Sequence, residues 1–376
     1  MMQGVRVLEL ASVLAGPGVG QFFAELGAEV IKVENLTTGG DVTRSWKGAG
    51  EKEGDLSAYF CSCNWGKKSI AVDLAMPEGN EIVRSLASKS DIVIASYKPG
   101  DAQKLGVSYE QLKAVNKRLI YGQITGYGSD NERVGYDAVI QAEAGFMDLN
   151  GEKEGEPVKM PVALIDLLAG HQLKEGLLLA LLKKEKTGEG SFIEVSLIQT
   201  AIASLANQAT NWLVGKKLPL RQGSAHPNIA PYGEAFTTKD NKRVLLAVGN
   251  DKQFRNLMTA LNDSPIASLP DYITNEARVS NRNSLNVILT GLISKVSSKE
   301  LLERLHRAKV PAGQIQNVQE VFEMPEAKEM LLQVNDMMGV RNFAIRFDNE
   351  HDRSILPPPG FGEHTAEIIE KLVRFR

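Results

Sequence analysis

Cysteine is almost missing from this chain: among 376 residues there are two, Cys61 and Cys63. One residue apart, they are too close for an ordinary structural disulfide and too few to cage a metal unaided. Reduced thiols acting as small buried apolar groups are expected, in a cytoplasmic protein without a metal. Long apolar runs are lacking as well. None reaches the ~18 residues that cross a bilayer, and the start, MMQGVRVLEL, passes directly into a strand pattern with no targeting segment. Nor does either sign of charge dominate: 43 basic and 46 acidic residues are well mixed, with a net charge of -3. That excludes a dedicated nucleic-acid or membrane-surface binder, so any phosphate contact must come from a few local side chains. Internal repeats and low-complexity tracts are absent too.

What the chain has is length and alternation. Its 376 residues exceed what one core usually serves, and two domains are expected. Residues 5–10 read as a strand, 15–20 as a Gly/Pro loop, 19–26 as a helix and 29–34 as a second strand ending in Glu34. This is a βαβ unit and therefore part of a parallel sheet. Gly16, Gly18 and Gly20 with Glu34 invite a dinucleotide reading. The glycines alternate, however, instead of following G-x-G-x-x-G, and Pro17 removes a backbone donor from the loop, so NAD or FAD is not expected.

Further along, Lys67 and Lys68 stand side by side before a strand, either in a solvated turn or as a phosphate contact. A helix over 78–88 opened by Pro77 and a strand over 91–95 lead into the loop 96–100. That loop lies at the carboxyl end of its strand, the edge where open parallel sheets bind ligands, which makes Tyr97, Lys98 and, a turn later, Lys104 candidate contacts. Ser108 caps the next helix, 119–125 is a strand, and 135–145 is helical, with Tyr136 either packed with its hydroxyl at the surface or placed at a site. From Lys216 the texture changes. A Pro/Gly/Asn loop, RQGSAHPNIAPY over 221–232, precedes a hairpin turn at Asp240 and Asn241, a strand over 243–248 and Asn- and Ser-rich helices through Ala308. A turn over 310–314, a helix over 325–332, an extended stretch over 346–358 and a last helix over 365–373 follow. Strand pairs and helices without βαβ alternation suggest a smaller α+β domain.

The chain is organised around residues 161–197, PVALIDLLAGHQLKEGLLLALLKKEKTGEGSFIEVSL. An apolar run over 162–165 meets Asp166, after which leucines recur at helical spacing up to a Thr187-Gly188 stop; a strand over 191–196 and one long helix over 197–212 follow. The pattern predicts Asp166 at an N-cap, accepting N–H bonds from the first turn beside the positive end of the helix dipole, both of which keep it ionised. A carboxylate so held is either a cap or a nucleophile.

Seven blocks, in order, decide between those readings: GVRVLEL with LAGPGVGQFFAELGAEVIKVE, NWGKKSIAVDL, DIVIASYKPGDAQKLG, GYDAVIQAEAG, the Asp166 helix with KEKTGEGSFIEVSL, the PY segment of the second domain, and GEHTAEIIEKL. Together they resemble the family III CoA-transferases, the CaiB/BaiF family, over nearly the whole chain. The resemblance implies an α/β fold with a Rossmann-like parallel-sheet large domain built from both chain ends (1–215 and 316–376), a smaller α+β domain (216–315), and an interlocked homodimer. It implies Asp166 as nucleophile in moving CoA from an acyl-CoA to a small carboxylic acid, through an aspartyl anhydride and an aspartyl-CoA thioester. Coenzyme A or acyl-CoA is then a substrate rather than a resident cofactor. Ser12 and Val13 are implied as contacts of the first loop, Lys68, Tyr97, Lys98 and Lys104 as coenzyme-binding residues, and Tyr136 as the tyrosine beside the reaction centre. Gly223, His226 and Asn228 lie where formyl-CoA transferases carry a mobile glycine-rich lid. Here a His-Pro pair and a single glycine replace that run. Leu14 stands where formyl-CoA:oxalate transferases have a glutamine, which argues against oxalate and formyl-CoA as the native pair.

The same fold hosts 2-methylacyl-CoA racemases, which need two bases flanking the α-carbon. Those enzymes carry a histidine where this chain has Tyr136, and a tyrosine with a pKa of about 10 is a poor partner for proton exchange near pH 7. His226 and His171 are the histidines that could take its place, and His171 reads as a core or interface residue of the Asp166 helix. A non-catalytic CoA-binding protein is the third reading.

Overall fold

A computed structural model describes residues 1–52, 54, 56–348 and 355–374. The chain divides into two compact units, one of Met1–Ala144, Met160–Ala206 and Lys328–Arg376, the other of Gly145–Lys159 and Asn207–Ala327.

The first unit is an α/β layer structure on six parallel strands: β1 (Arg6–Leu10), β2 (Glu29–Asn35), β3 (Lys67–Val72), β4 (Ile92–Ala95), β5 (Ile120–Thr125) and β6 (Ser191–Ser196). Their order across the sheet is β3-β2-β1-β4-β5-β6. Both faces of the central strands are covered: all of β4, the apolar run IVIA, is buried, as is β1 beyond Arg6, where Glu9 is the one charged residue. The chain winds outward from β1 to β3, then returns beside β1 to begin β4 and winds the other way. Loops leaving β1 and β4 therefore diverge and open a crevice at the carboxyl edge.

The starts of several helices reach that crevice. Helix α1 spans Ala15–Glu25, beginning where the sequence suggested a loop. Its glycines serve close approach rather than turning: a Cβ on Gly16 would overlap Ala11, and one on Gly20 would overlap the Glu9 carboxylate. Pro17 sits in the first turn, where a missing N–H costs nothing. The helix over Pro77–Ser88 (α2) and a short one over Tyr109–Lys113 (α3), the latter opened by a Ser108/Gln111 capping box, cover other crossovers. Asp137–Glu143 forms α4, and Leu164–Thr187 forms the 24-residue α5. Against α1, Gly170 of α5 lets the Ala15 carbonyl approach to 3.2 Å of where a Cβ would stand. Gly188, at φ 74°, ends α5 by donating to the Lys184 carbonyl at 2.8 Å, the expected stop.

Beyond β6 the sequence suggested one helix; the structure has α6 (Leu197–Ala203) and α7 (Ala206–Leu213), broken where Ala206 takes φ 49°. In the second unit an antiparallel sheet, β7 (Tyr232–Thr237), β8 (Arg243–Ala247) and β9 (Ala312–Gln314), packs with helices over Asp251–Ala260, Arg282–Ile293 and Ser298–Arg307 around a core that includes Phe236, Leu246, Phe254 and Leu289. The expected turn over 310–314 is thus partly strand β9. The helix expected over 325–332 stops at Lys328, and Leu331–Val334 (β10) pairs with Met337–Val340 (β11). Of the stretch expected to be extended over 346–358, residues 349–354 lie outside the described residues. Thr365–Arg374 closes the chain as a helix. Among the described residues no helix is long and apolar enough to cross a membrane.

Candidate active site

The crevice between β1 and β4 contains a cavity of about 280 Å³. The turn after β1 contributes Ser12, Val13 and Leu14 to its wall, the turn after β4 contributes Ser96, Tyr97, Lys98 and Pro99, and Thr125 and Gly126 follow β5. Gly135, Tyr136 and Asp137 enter from the start of α4, and Asp166 from the start of α5. Six of the residues expected at the site, Ser12, Val13, Tyr97, Lys98, Tyr136 and Asp166, are therefore brought to one cavity.

Asp166 does not occupy the position expected for it. Helix α5 begins at Leu164 with Ala163 at its N-cap and no side-chain cap, so Asp166 is the third helical residue. The capping is done from outside the helix: Asp137 Oδ1 accepts the N–H groups of Ile165 at 2.8 Å and Asp166 at 3.4 Å. Asp137 is itself steered by Gln141, whose amide donates to Oδ2 at 2.6 Å. With its own oxygens released from capping, Asp166 is only 9% exposed. Burial first, and the negative charge of Asp137 second, push its pKa up to about 7. The expectation of a carboxyl kept ionised by a cap is thus overturned. Desolvation outweighs the helix dipole here, and the group holds or releases a proton near neutrality.

Cations and hydroxyls share the wall. Lys98 is exposed, and no carboxylate of the described residues pairs with it. Arg133, which the sequence did not single out, lies over the Tyr127 ring at 4.2 Å and pairs with Glu143, which also accepts from Tyr127 Oη at 2.9 Å. Tyr97 packs against the core, and burial lifts its pKa to about 12, leaving a neutral hydroxyl. Tyr59 was also missed. It does not line the cavity, but burial first and the charge of Asp166 second raise its pKa.

Other expected residues lie elsewhere. Lys68 is at the start of β3, the opposite edge of the sheet, in ion pairs with Glu29 (3.0 Å) and Glu367 (3.9 Å). Its neighbour Lys67 fits neither a solvated turn nor a phosphate contact, because it is fully buried with Nζ 2.8 Å from Glu9 Oε2. Lys104 is largely exposed and pairs with Asp101 at 3.3 Å, outside the cavity wall. Gly223, His226 and Asn228 belong to the second unit. There the Asn228 N–H donates to His226 Nδ1 at 3.1 Å, and Arg282 holds the His226 and Ile229 carbonyls at 2.7 and 3.0 Å. His171 is exposed on α5 rather than in the core. Cys63 is buried as expected, but it is more than an apolar filler, since its thiol reaches the Val13 carbonyl at 3.4 Å.

A model of CoA-transferase family III matches residues 2–365. A succinate–glutarate CoA-transferase from Agrobacterium fabrum is 39% identical, over 99% of this chain and 95% of its own length. A succinyl-CoA:glutarate CoA-transferase from Homo sapiens is 36% identical, over 100% of this chain and 86% of its own. Among solved structures, a CaiB/BaiF family protein from Brucella suis superposes with a TM-score of 0.88 at 41% identity, over 99% of both chains.

Proposed function

This chain belongs to CoA-transferase family III and is a CoA-transferase that passes the coenzyme between acids, and we propose that Asp166 is the side chain through which it does so. The observation that carries this reading is a desolvated carboxylate, held at the start of α5 by a partner that caps the helix in its place, opening onto a cavity at the carboxyl edge of the sheet. The ionised carboxylate attacks the thioester carbonyl of an acyl-CoA and expels CoA thiolate, leaving an acyl–aspartyl anhydride. The thiolate then attacks the aspartyl carbonyl, releasing the first acid and leaving an aspartyl-CoA thioester. The acceptor carboxylate attacks that thioester in turn, and the freed thiolate takes the acceptor's carbonyl from the second anhydride. Each step exchanges one acyl bond for another, so the thioester's free energy survives only where water is kept out, which the buried setting of Asp166 favours.

Short dicarboxylic acids, of the succinate and glutarate class named for the relatives, are the proposed donor and acceptor acids. Two cations lining a cavity of this size suit them: Lys98 for a coenzyme phosphate, and the free donors of the Arg133 fork for the distal carboxylate. Ser12, Val13, Tyr97 and Tyr136 complete the proposed coenzyme and substrate contacts. The test is a panel of isotope-labelled straight-chain mono- and dicarboxylates offered with unlabelled succinyl-CoA, with the label appearing in acyl-CoA read by mass spectrometry. Succinate or glutarate should exceed the monoacid of equal length by about tenfold or more in kcat/KM, the worth of one good charged contact. Equal use of butyrate and succinate would remove the dicarboxylate assignment.

The proposed assembly is a homodimer. Leu179 and Leu182 of α5, Leu213 at the end of α7, and Val214, Leu218 and Leu220 just beyond it, are largely exposed in the single chain, apolar surface that a lone protein seldom leaves uncovered. Sedimentation should return the mass of two chains, and that of one would end this reading.

A further inference from the structure

The turn that follows β1 contains a strained residue. Val13 adopts φ 73°, a left-handed conformation that a β-branched side chain avoids. Such a residue persists only where its surroundings hold it, and three elements converge on this one. Both carboxylate oxygens of Asp41 accept the Val13 N–H at 3.3 Å. The Cys63 thiol reaches the Val13 carbonyl at 3.4 Å, and burial, which raises its pKa to about 11, keeps it a neutral S–H donor. Ser96 Oγ accepts the preceding N–H, that of Ser12, at 3.2 Å.

Asp41 is in turn fixed from beneath. It accepts from the Thr43 N–H at 3.0 Å and the Thr43 hydroxyl at 2.8 Å, and its Oδ2 lies 2.9 Å from Lys32 Nζ. Lys32, 1% exposed, also reaches Glu9 Oε1 at 3.0 Å and the Ala11 carbonyl at 2.7 Å. The other oxygen of Glu9 meets Lys67, which donates to the Pro17 carbonyl and Asn64 Oδ1, each at 2.8 Å. Buried ion pairs of this kind seldom add stability over an apolar core of the same shape, because desolvation cancels most of the attraction. What they do supply is aim. Its charged groups converge on the backbone at Ala11, Val13 and Pro17, on Thr43 and Asn64, and on one another.

We propose that Asp41, backed by Lys32, is a positioning residue that holds the Val13 peptide in its left-handed turn and so sets residues 12–14 as a wall fitted to the coenzyme. The role rests on the reading of the cavity as the coenzyme's. Neither Asp41 nor Lys32 needs to touch the substrate, and the chemistry at Asp166 proceeds without them once the thioester is seated.

The test is a cycle of variants, with CoA binding read by calorimetry and transfer by kinetics. Asp41→Asn keeps the size and one acceptor but leaves Lys32 short of an anion; it should weaken CoA binding by about tenfold or more while kcat stays within about threefold. In the background of Val13→Gly, where the residue takes the turn without help, the same change should weaken binding by less than about threefold. An equal loss in both backgrounds would overturn the proposal, since Asp41 would then be acting through the fold at large. Unchanged CoA affinity in Asp41→Asn would overturn it too, and amide exchange says how: faster exchange at residues 12–14 means the turn loosened but the coenzyme lies elsewhere, which also sinks the placement of the coenzyme, whereas unchanged exchange refutes the positioning alone. Should Asp41→Asn fail to fold, Cys63→Ala against Cys63→Ser asks the same question from the carbonyl side. Alanine should weaken CoA binding and serine, which keeps a donor, should restore it; equal affinities would overturn the proposal.

Discussion

Asp166→Asn is expected to abolish transfer, lowering kcat by at least about 10⁴-fold, while CoA affinity stays near that of the unaltered protein. An amide of the same shape keeps the cavity and the start of α5, whose backbone is capped by Asp137 and not by residue 166. What it loses is the nucleophile. Incubation with an acyl-CoA should give a covalent CoA adduct by intact mass in the unaltered protein and none in the variant, and an adduct that persists would refute the assignment. The same substitution should make the protein more stable, in a pH-dependent way. Asp166 binds its proton more tightly folded, at a pKa of about 7, than it does unfolded, near 3.8. Its contribution to stability is therefore whole below about pH 4, declines as pH rises, and is gone above about pH 7, where the fold must bury an ionised carboxylate. At about 1.36 kcal/mol per pH unit the difference amounts to roughly 4 kcal/mol. Chemical denaturation at pH 5 and pH 8 should accordingly show the asparagine variant gaining much more at pH 8. Equal gains at both would mean that the carboxyl is not desolvated as described.

Which parts of this arrangement are legible in the sequence depends on how far apart the cooperating residues lie. Fully buried parallel strands such as Ile92–Ala95 announce themselves as short apolar runs between turn residues, and the stop at Gly188 is a local signal. The start of α1 is not local. Gly16 and Gly20 look like loop formers, and only Ala11 and Glu9, arriving from β1, show why side chains are excluded there. Lys67 looks like a surface cation for the same reason, since the carboxylate that neutralises it comes from a strand two places away in the sheet. Asp166 carries the sharpest case. An aspartate ahead of a leucine-rich helix reads as its cap, but the cap comes from Asp137 in another helix, 29 residues earlier in the chain. The one clue to it was in view, since Asp137 stands next to Tyr136 in a block already singled out, and two carboxyls converging on one cavity signal that one of them is perturbed.

That division of labour between the two acids predicts the second large effect. Asp137 does two things at once, accepting the Ile165 and Asp166 N–H groups and raising the Asp166 pKa with its charge. Asp137→Asn separates them, because an amide oxygen still caps the helix while the charge is gone. Burial, the larger cause, remains, so the Asp166 pKa should fall from about 7 without returning to its ordinary value. Since the ionised form attacks, activity rises with pH through this pKa, and the acid limb of the kcat/KM profile should move to lower pH. The plateau should drop by less than about tenfold, as a less basic carboxylate is a weaker nucleophile. Asp137→Ala removes cap and charge together. Loss of a cap costs about 1 kcal/mol of helix stability, and a nucleophile displaced by even 1 Å forfeits about 10²-fold in rate. The alanine variant should therefore lose activity at every pH where the asparagine variant loses it little. An acid limb that stays in place in Asp137→Asn would show that the charge of Asp137 does not reach Asp166, and a profile identical in the two variants would show that the cap does not aim it.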